Sequence, residues 1–120
     1  MKILIVDDSI AMRRLIQRTL RQAGFDGIDF IEAHDGIEGL ELARQEAPCL
    51  ILSDWKIPAL HGYDLLCALR EEGYEAPFGF VTCDGRPGVF RKALGAGADF
   101  LLKKPITPEV VAATLKPYLG

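Results

Sequence analysis

The feature that most constrains this chain is a rhythm. Short apolar runs alternate with longer amphipathic stretches, and the pattern recurs five times. The runs are Lys2–Val6, Asp29–Ala33, Cys49–Ser53, Phe78–Thr82 and Phe100–Lys103. Most are continuous rather than alternating, as strands buried on both faces are. Asp29–Ala33 is the weakest and belongs nearer a sheet edge.

The stretches between the runs read as helices. Ser9 caps the first, with Met12, Leu15, Ile16, Thr19 and Leu20 on one face and Arg13, Arg14, Arg18 and Arg21 outside. Gly24 ends it in the left-handed conformation. Gly36–Glu46 is the second, with Ile37, Leu40, Leu42 and Ala43 inward, and Pro48 breaks the chain after it. Gly62–Glu72 is the third, with Leu65, Leu66 and Leu69 inward. Asp84-Gly-Arg-Pro-Gly88 predicts a loop, because Gly and Pro cost roughly 1 and 3 kcal/mol in a helix interior. That leaves Val89–Leu94 as a short fourth helix. Thr107 and Pro108 cap and start the last helix, which runs to about Leu115 with Pro117 at its frayed end.

Strands separated by helices predict an α/β fold: a doubly wound, three-layer sandwich around a parallel sheet with right-handed crossovers. Residues 1–120 read as one domain with no attached output domain. The net charge of -3, from 17 acidic and 14 basic residues without a long basic run, gives no footprint for nucleic acid or anionic membrane. No apolar run approaches the ~20 residues of a membrane span, so a soluble, cytoplasmic protein is expected. Cys49, Cys67 and Cys83 lack metal-type spacing and are expected to be reduced thiols packed as small hydrophobes.

In open parallel sheets the functional crevice lies beyond the carboxyl ends of the strands. There the chain places Asp7 and Asp8 after the first strand and Asp54 after the third. Thr82 ends the fourth, and Lys103, Lys104 and Pro105 end the fifth. Singly these signals are weak. An Asp pair is often only a solvated helix start, where acids favour the dipole, and a Lys-Pro pair usually marks a loop. Jointly they have a chemical logic. Three neighbouring carboxylates repel one another, and a divalent cation relieves that; Mg2+ prefers oxygen ligands and keeps several waters. A carboxylate nucleophile, a metal, a cation and a hydroxyl are the parts of phosphoryl transfer.

The segments Ile3-Leu-Ile-Val-Asp-Asp-Ser9, Glu32-Ala-His-Asp-Gly36, Leu52-Ser-Asp-Trp-Lys-Ile-Pro58, His61-Gly62, Val81-Thr82, Gly95-Ala-Gly-Ala-Asp99 and Lys104-Pro105 occur in order along the whole chain. With them the sequence resembles the response-regulator receiver family, and most of all its single-domain chemotaxis receivers. The resemblance implies a flavodoxin-like strand order of 2-1-3-4-5. It implies Asp54 as phosphoacceptor, Asp8 as direct metal ligand, Asp7 assisting through water, and the backbone carbonyl of Lys56 as a further ligand of Mg2+. Thr82 becomes the switch hydroxyl and Lys104 the active-site cation, with Lys103 pointing away. The implied donor is a sensor histidine kinase or a phosphotransfer protein. The implied output is a protein target bound through the helix 4–strand 5–helix 5 face of a monomer, which catalyses its own phosphorylation and dephosphorylation.

The sequence departs from the family pattern at defined places. Leu101 stands where the family usually has the switch Tyr or Phe. Phe100, one place earlier, is either a core residue of the opposite face or, in a shifted register, the switch ring. Cys83 replaces the small residue after Thr82, and His61 the usual acid before Gly62. Lys56 and Asp84, each two residues past a site residue, are expected to pair across the mouth of the site and gate water. Other readings are an interaction module that works without phosphorylation and a flavin or nucleotide binder. Asp-Asp after the first strand opposes the latter, since it repels phosphate unless a metal intervenes. A phosphatase with an Asp-x-Asp motif is disfavoured by Lys56.

Overall fold

A computed structural model describes residues 1–120. Strands β1 (Lys2–Val6), β2 (Asp29–Ala33), β3 (Leu50–Ser53), β4 (Phe78–Thr82) and β5 (Phe100–Lys103) alternate with helices α1 (Ile10–Gln22), α2 (Gly36–Glu46), α3 (Gly62–Glu71), α4 (Pro87–Gly95) and α5 (Pro108–Leu119). The sheet is wholly parallel, in the order β2-β1-β3-β4-β5. The weakest strand, β2, lies at an edge as its composition predicts.

The period-two geometry of the strands divides the core. Ile3 and Ile5 of β1, with Leu50 and Leu52 of β3, face Ile16 and Leu20 of α1 and Val111 and Leu115 of α5. Leu4, Val6 and Ile51 face the opposite way, onto Ala43 of α2, Leu65, Leu66 and Leu69 of α3, and Ala93 of α4. Buried strands sandwiched in this way need apolar residues at every position, which is why their sequences run without alternation. No helix is long and apolar enough to cross a membrane.

Several local expectations hold. Ser9 Oγ accepts from the Met12 N–H at 3.2 Å, and Gly24 adopts φ +98°. Thr107 Oγ1 caps α5 by accepting from the Val110 N–H at 3.3 Å.

Others are corrected. Helix α4 starts at Pro87 rather than Val89, because proline at the first helical position gives up an N–H that would have no partner there. Helix α5 continues through Pro117 to Leu119. The lost hydrogen bond is offset by packing: the Tyr118 ring lies 5.3 Å from that of Phe100, and Leu119 joins the same core. Ile37 is exposed instead of inward; Gly39 takes the inner position, against Val6 and Leu65. The cysteines are not core residues either. Cys49 and Cys83 are exposed and Cys67 is half-buried: β3 begins at Leu50 rather than Cys49, Cys83 follows the end of β4, and Cys67 lies on the flank of α3.

Candidate functional site

The carboxyl ends of the central strands are stitched together by backbone hydrogen bonds that continue past the strands. The Asp54 N–H donates to the Val6 carbonyl at 3.0 Å, and the Lys104 N–H to that of Thr82 at 2.8 Å. With β3 paired to β4 between them, the three sites after β1, β3 and β5 are held in register, and their side chains meet. Lys104 Nζ donates to Asp54 Oδ2 at 3.0 Å and to Asp7 Oδ2 at 3.2 Å. The remaining oxygens are held by the backbone: Asp54 Oδ1 accepts from the Trp55 N–H at 2.7 Å, and Asp7 Oδ1 from the Ser9 N–H at 2.9 Å.

The electrostatics follow from burial. Asp7 is 2% exposed. Desolvation pushes its carboxyl above the usual range, and neither the Ser9 N–H nor Lys104 fully offsets this. For Lys104, burial alone would lower the ammonium. The hydrogen bond and charge of Asp54, with those of Asp7, outweigh it and hold the group above its ordinary value. Lys104 is thus a fixed positive charge between two carboxylates in a partly desolvated crevice.

Asp8 is exposed and enters no ion pair. Thr82 is buried at the end of β4, where its Oγ1 accepts from the Asp84 N–H at 3.2 Å. No three acidic, histidine or cysteine side chains converge into a closed metal cage. The groups that could hold a cation are nonetheless all oxygens: the Asp54 and Asp7 carboxylates, the uncommitted Asp8 carboxylate beside Asp7, and the Lys56 carbonyl two residues past Asp54 on the same loop. Such an open set fits a hard cation that keeps much of its water.

The expected Lys56–Asp84 pair does not form. Asp84 is held instead by Arg86, whose Nη2 reaches Oδ2 at 2.6 Å and whose Nε reaches Oδ1 at 2.8 Å. Arg86 is two residues away on the same loop and its fork engages both oxygens, a geometry that the Lys56 ammonium cannot offer. The ambiguity at β5 is also resolved. Leu101 pairs with Phe80 and Lys103 with Thr82, so the register is not shifted. Leu101 packs toward the α3 and α4 side. Phe100 faces α5, its ring filling the space beside Gly79, where a Cβ would lie 2.0 Å from the ring. Lys103 is exposed, its side chain lying over Gly85 of the loop after β4 and outside the Asp7–Asp54–Lys104 cluster.

One residue at the site is not evident in the sequence. Arg13, on the outer face of α1 by its periodicity, has a side chain only 11% exposed. Its Nη1 donates to the Asp7 carbonyl at 2.7 Å and its Nε to Glu32 Oε1 at 3.0 Å. The available signal is a pairing of charges, Arg13 one turn into α1 and Glu32 on the neighbouring strand β2.

Comparison with known proteins identifies the family and the fold. The sequence model of the response regulator receiver domain matches residues 3–116. A chemotaxis protein CheY homolog of Campylobacter jejuni is 38% identical over 123 aligned residues, covering 100% of this chain and 93% of that protein. The chemotaxis protein CheY1 of Helicobacter pylori is 37% identical, covering 100% of this chain and 98% of its own. Among solved structures, chemotaxis protein CheY4 of Vibrio cholerae superposes with a TM-score of 0.86 at 32% identity, covering 98% of both chains. From the fold, the crevice and these likenesses together, the chain belongs to the response regulator receiver family of two-component signalling.

Proposed function

We propose that this receiver accepts a phosphoryl group on Asp54 from the phosphohistidine of a sensor histidine kinase or of a phosphotransfer protein, and that the aspartyl phosphate alters partner binding at the α4–β5–α5 face. The observation that carries the reading is the double contact of Lys104 with Asp54 and Asp7. A half-buried carboxylate held by a fixed cation is oriented for attack, and the cation meets the charge that develops on the phosphoryl oxygens.

In the transfer step an Asp54 oxygen bonds to phosphorus while the phosphorus–nitrogen bond to imidazole breaks, and the imidazole leaves with the electron pair. Thr82 supplies a hydroxyl at the same strand ends that can donate to a phosphoryl oxygen. Asp8 and Asp54, with Asp7 through water and the Lys56 carbonyl, are the groups that would hold Mg2+. When bound, that ion neutralises phosphoryl charge. Water attack on the aspartyl phosphate returns the free carboxylate, so the domain times its own signal. The site of action is the cytoplasm.

Incubation with Mg2+ and acetyl phosphate, followed by intact-mass measurement, tests the reading. One added phosphoryl group is expected, and none in Asp54→Asn. A mass increase that survives Asp54→Asn would place the acceptor elsewhere. A second reading, an interaction module that works without phosphorylation, is favoured by Leu101 in the usual switch position. Partner affinity that is the same with and without phosphodonor would select it.

A further inference from the structure

The Asp7 carbonyl lies one residue beyond Val6, the last paired residue of β1. Its hydrogen-bond donor comes from α1: Arg13 Nη1 at 2.7 Å. The same guanidinium is fixed at its other edge by Glu32 of β2, with Nε 3.0 Å from Oε1. Glu32 is itself held from α1 by Arg14, at 3.4 Å, and the Gln17 amide nitrogen, buried without a hydrogen-bond partner, is near enough to help hold the same carboxylate below its usual range. One cluster therefore ties the first turns of α1, the neck of β1 and the carboxyl end of β2 to the peptide that joins Asp7 to Asp8.

We propose that Arg13 and Glu32 are positioning residues for this acidic pair, holding the Asp7–Asp8 peptide so that both carboxylates turn toward the crevice and take up Mg2+. The inference rests on the proposed function above. A lone guanidinium so close to the crevice would repel a divalent cation. Glu32, which Arg14 shares, offsets part of that charge, and what Arg13 adds is its planar fork, two donors at a fixed separation spanning Asp7 and Glu32. A lysine at position 13 reaches one acceptor but not both.

The test is calorimetric titration with MgCl2 of wild type, Arg13→Lys and the double variant Arg13→Ala/Glu32→Gln, which leaves the net charge unchanged. The double variant is expected to bind Mg2+ about tenfold more weakly, the range for removal of groups that orient metal ligands. Its phosphorylation rate with acetyl phosphate should recover at saturating Mg2+, and Arg13→Lys should fall between. In the metal-free protein, the Asp8 and Ser9 amide resonances should shift in both variants. A purely structural role would lower the unfolding temperature and leave the affinity of the folded protein alone. If the double variant does not fold, Arg13→Lys decides. Wild-type Mg2+ affinity in a folded variant overturns the inference while leaving Asp54 phosphorylation intact. Absence of Mg2+ binding in the wild type overturns both.

Discussion

The Lys104 ammonium lies 3.0 Å from an oxygen of Asp54, across 50 residues of sequence, and the same nitrogen reaches Asp7 at 3.2 Å. One cation thus serves two carboxylates, which gives Lys104 two opposed effects on the site. It supplies charge to an incoming phosphoryl group, and it occupies the negative potential that a metal ion would use. Lys104→Met keeps the side-chain bulk and removes the charge. Phosphorylation by acetyl phosphate is expected to slow about 100-fold, as when one transition-state donor is removed. Mg2+ should bind at least as tightly as in the wild type, because a competing cation is gone. A wild-type rate in this variant would take Lys104 out of the chemistry.

Phe100 and Gly79 form a packed pair across β4 and β5, the glycine leaving the space that the ring fills. A Cβ at position 79 would sit 2.0 Å from Phe100 Cε2. Gly79→Ala should therefore destabilise the fold by about 1–3 kcal/mol, the usual range for overpacking. Adding Phe100→Leu should recover part of the loss, since the two sites share one volume. Urea denaturation of the two single variants and the double variant measures the coupling. Strict additivity would show that the ring has another place to go.

These packing details separate what the sequence shows from what it does not. Ile3–Val6 and Leu50–Leu52 announce themselves because a strand covered on both faces has little room for polar positions. The strand ends are legible for the same reason: a carboxylate directly after such a run stands out. Pro117 misleads because a local rule meets a tertiary one. Its missing N–H argues for a helix end, whereas Tyr118 and Leu119 gain more by packing on the Phe100 side of the sheet. Arg13 is missed because helix periodicity describes where a Cβ points, and a long side chain can turn back to a backbone carbonyl. Asp84 is assigned to Lys56 by loop convergence, but the nearer Arg86 has the better donor geometry.

That last pair changes what is expected of the site mouth. Asp84 is engaged at both oxygens by Arg86, and the charges of Arg86 and, more weakly, Lys56 contribute to a carboxyl held below its usual range, the side-chain hydrogen bond from Arg86 being the main cause. Lys56→Ala should leave the dephosphorylation rate of the aspartyl phosphate at the wild-type value. Arg86→Ala frees the Asp84 carboxylate to accept from a water near the acceptor, and dephosphorylation should quicken. Decay of the phosphorylated mass species after removal of the phosphodonor measures both. A changed rate in Lys56→Ala with an unchanged one in Arg86→Ala would return the gate to Lys56.

Tyr74 offers a test of the fold alone, remote from this chemistry. Its hydroxyl donates to the Pro48 carbonyl, joining the segment after α3 to the one before β3. Burial, reinforced by the nearby Cys49 thiol and opposed by Arg70, pushes the phenol from its ordinary 10.0 up to about 12. A raised pKa means that the folded state favours the neutral form. The Tyr74 contribution is therefore complete below pH 10, where the phenol is neutral folded or unfolded. It falls between pH 10 and 12 as the unfolded chain ionises first, and is gone above that. Tyr74→Phe lacks both the hydrogen bond and the titration. Below pH 10 it should be less stable than wild type by about 1 kcal/mol, the net worth of one such bond. Between pH 10 and 12 the gap should close and then reverse, because only the wild type carries this ionisation. Urea midpoints for the two proteins across that window give the difference directly. A gap that stays constant through pH 12 would mean that the Tyr74 phenol ionises as readily in the folded protein as in the unfolded chain.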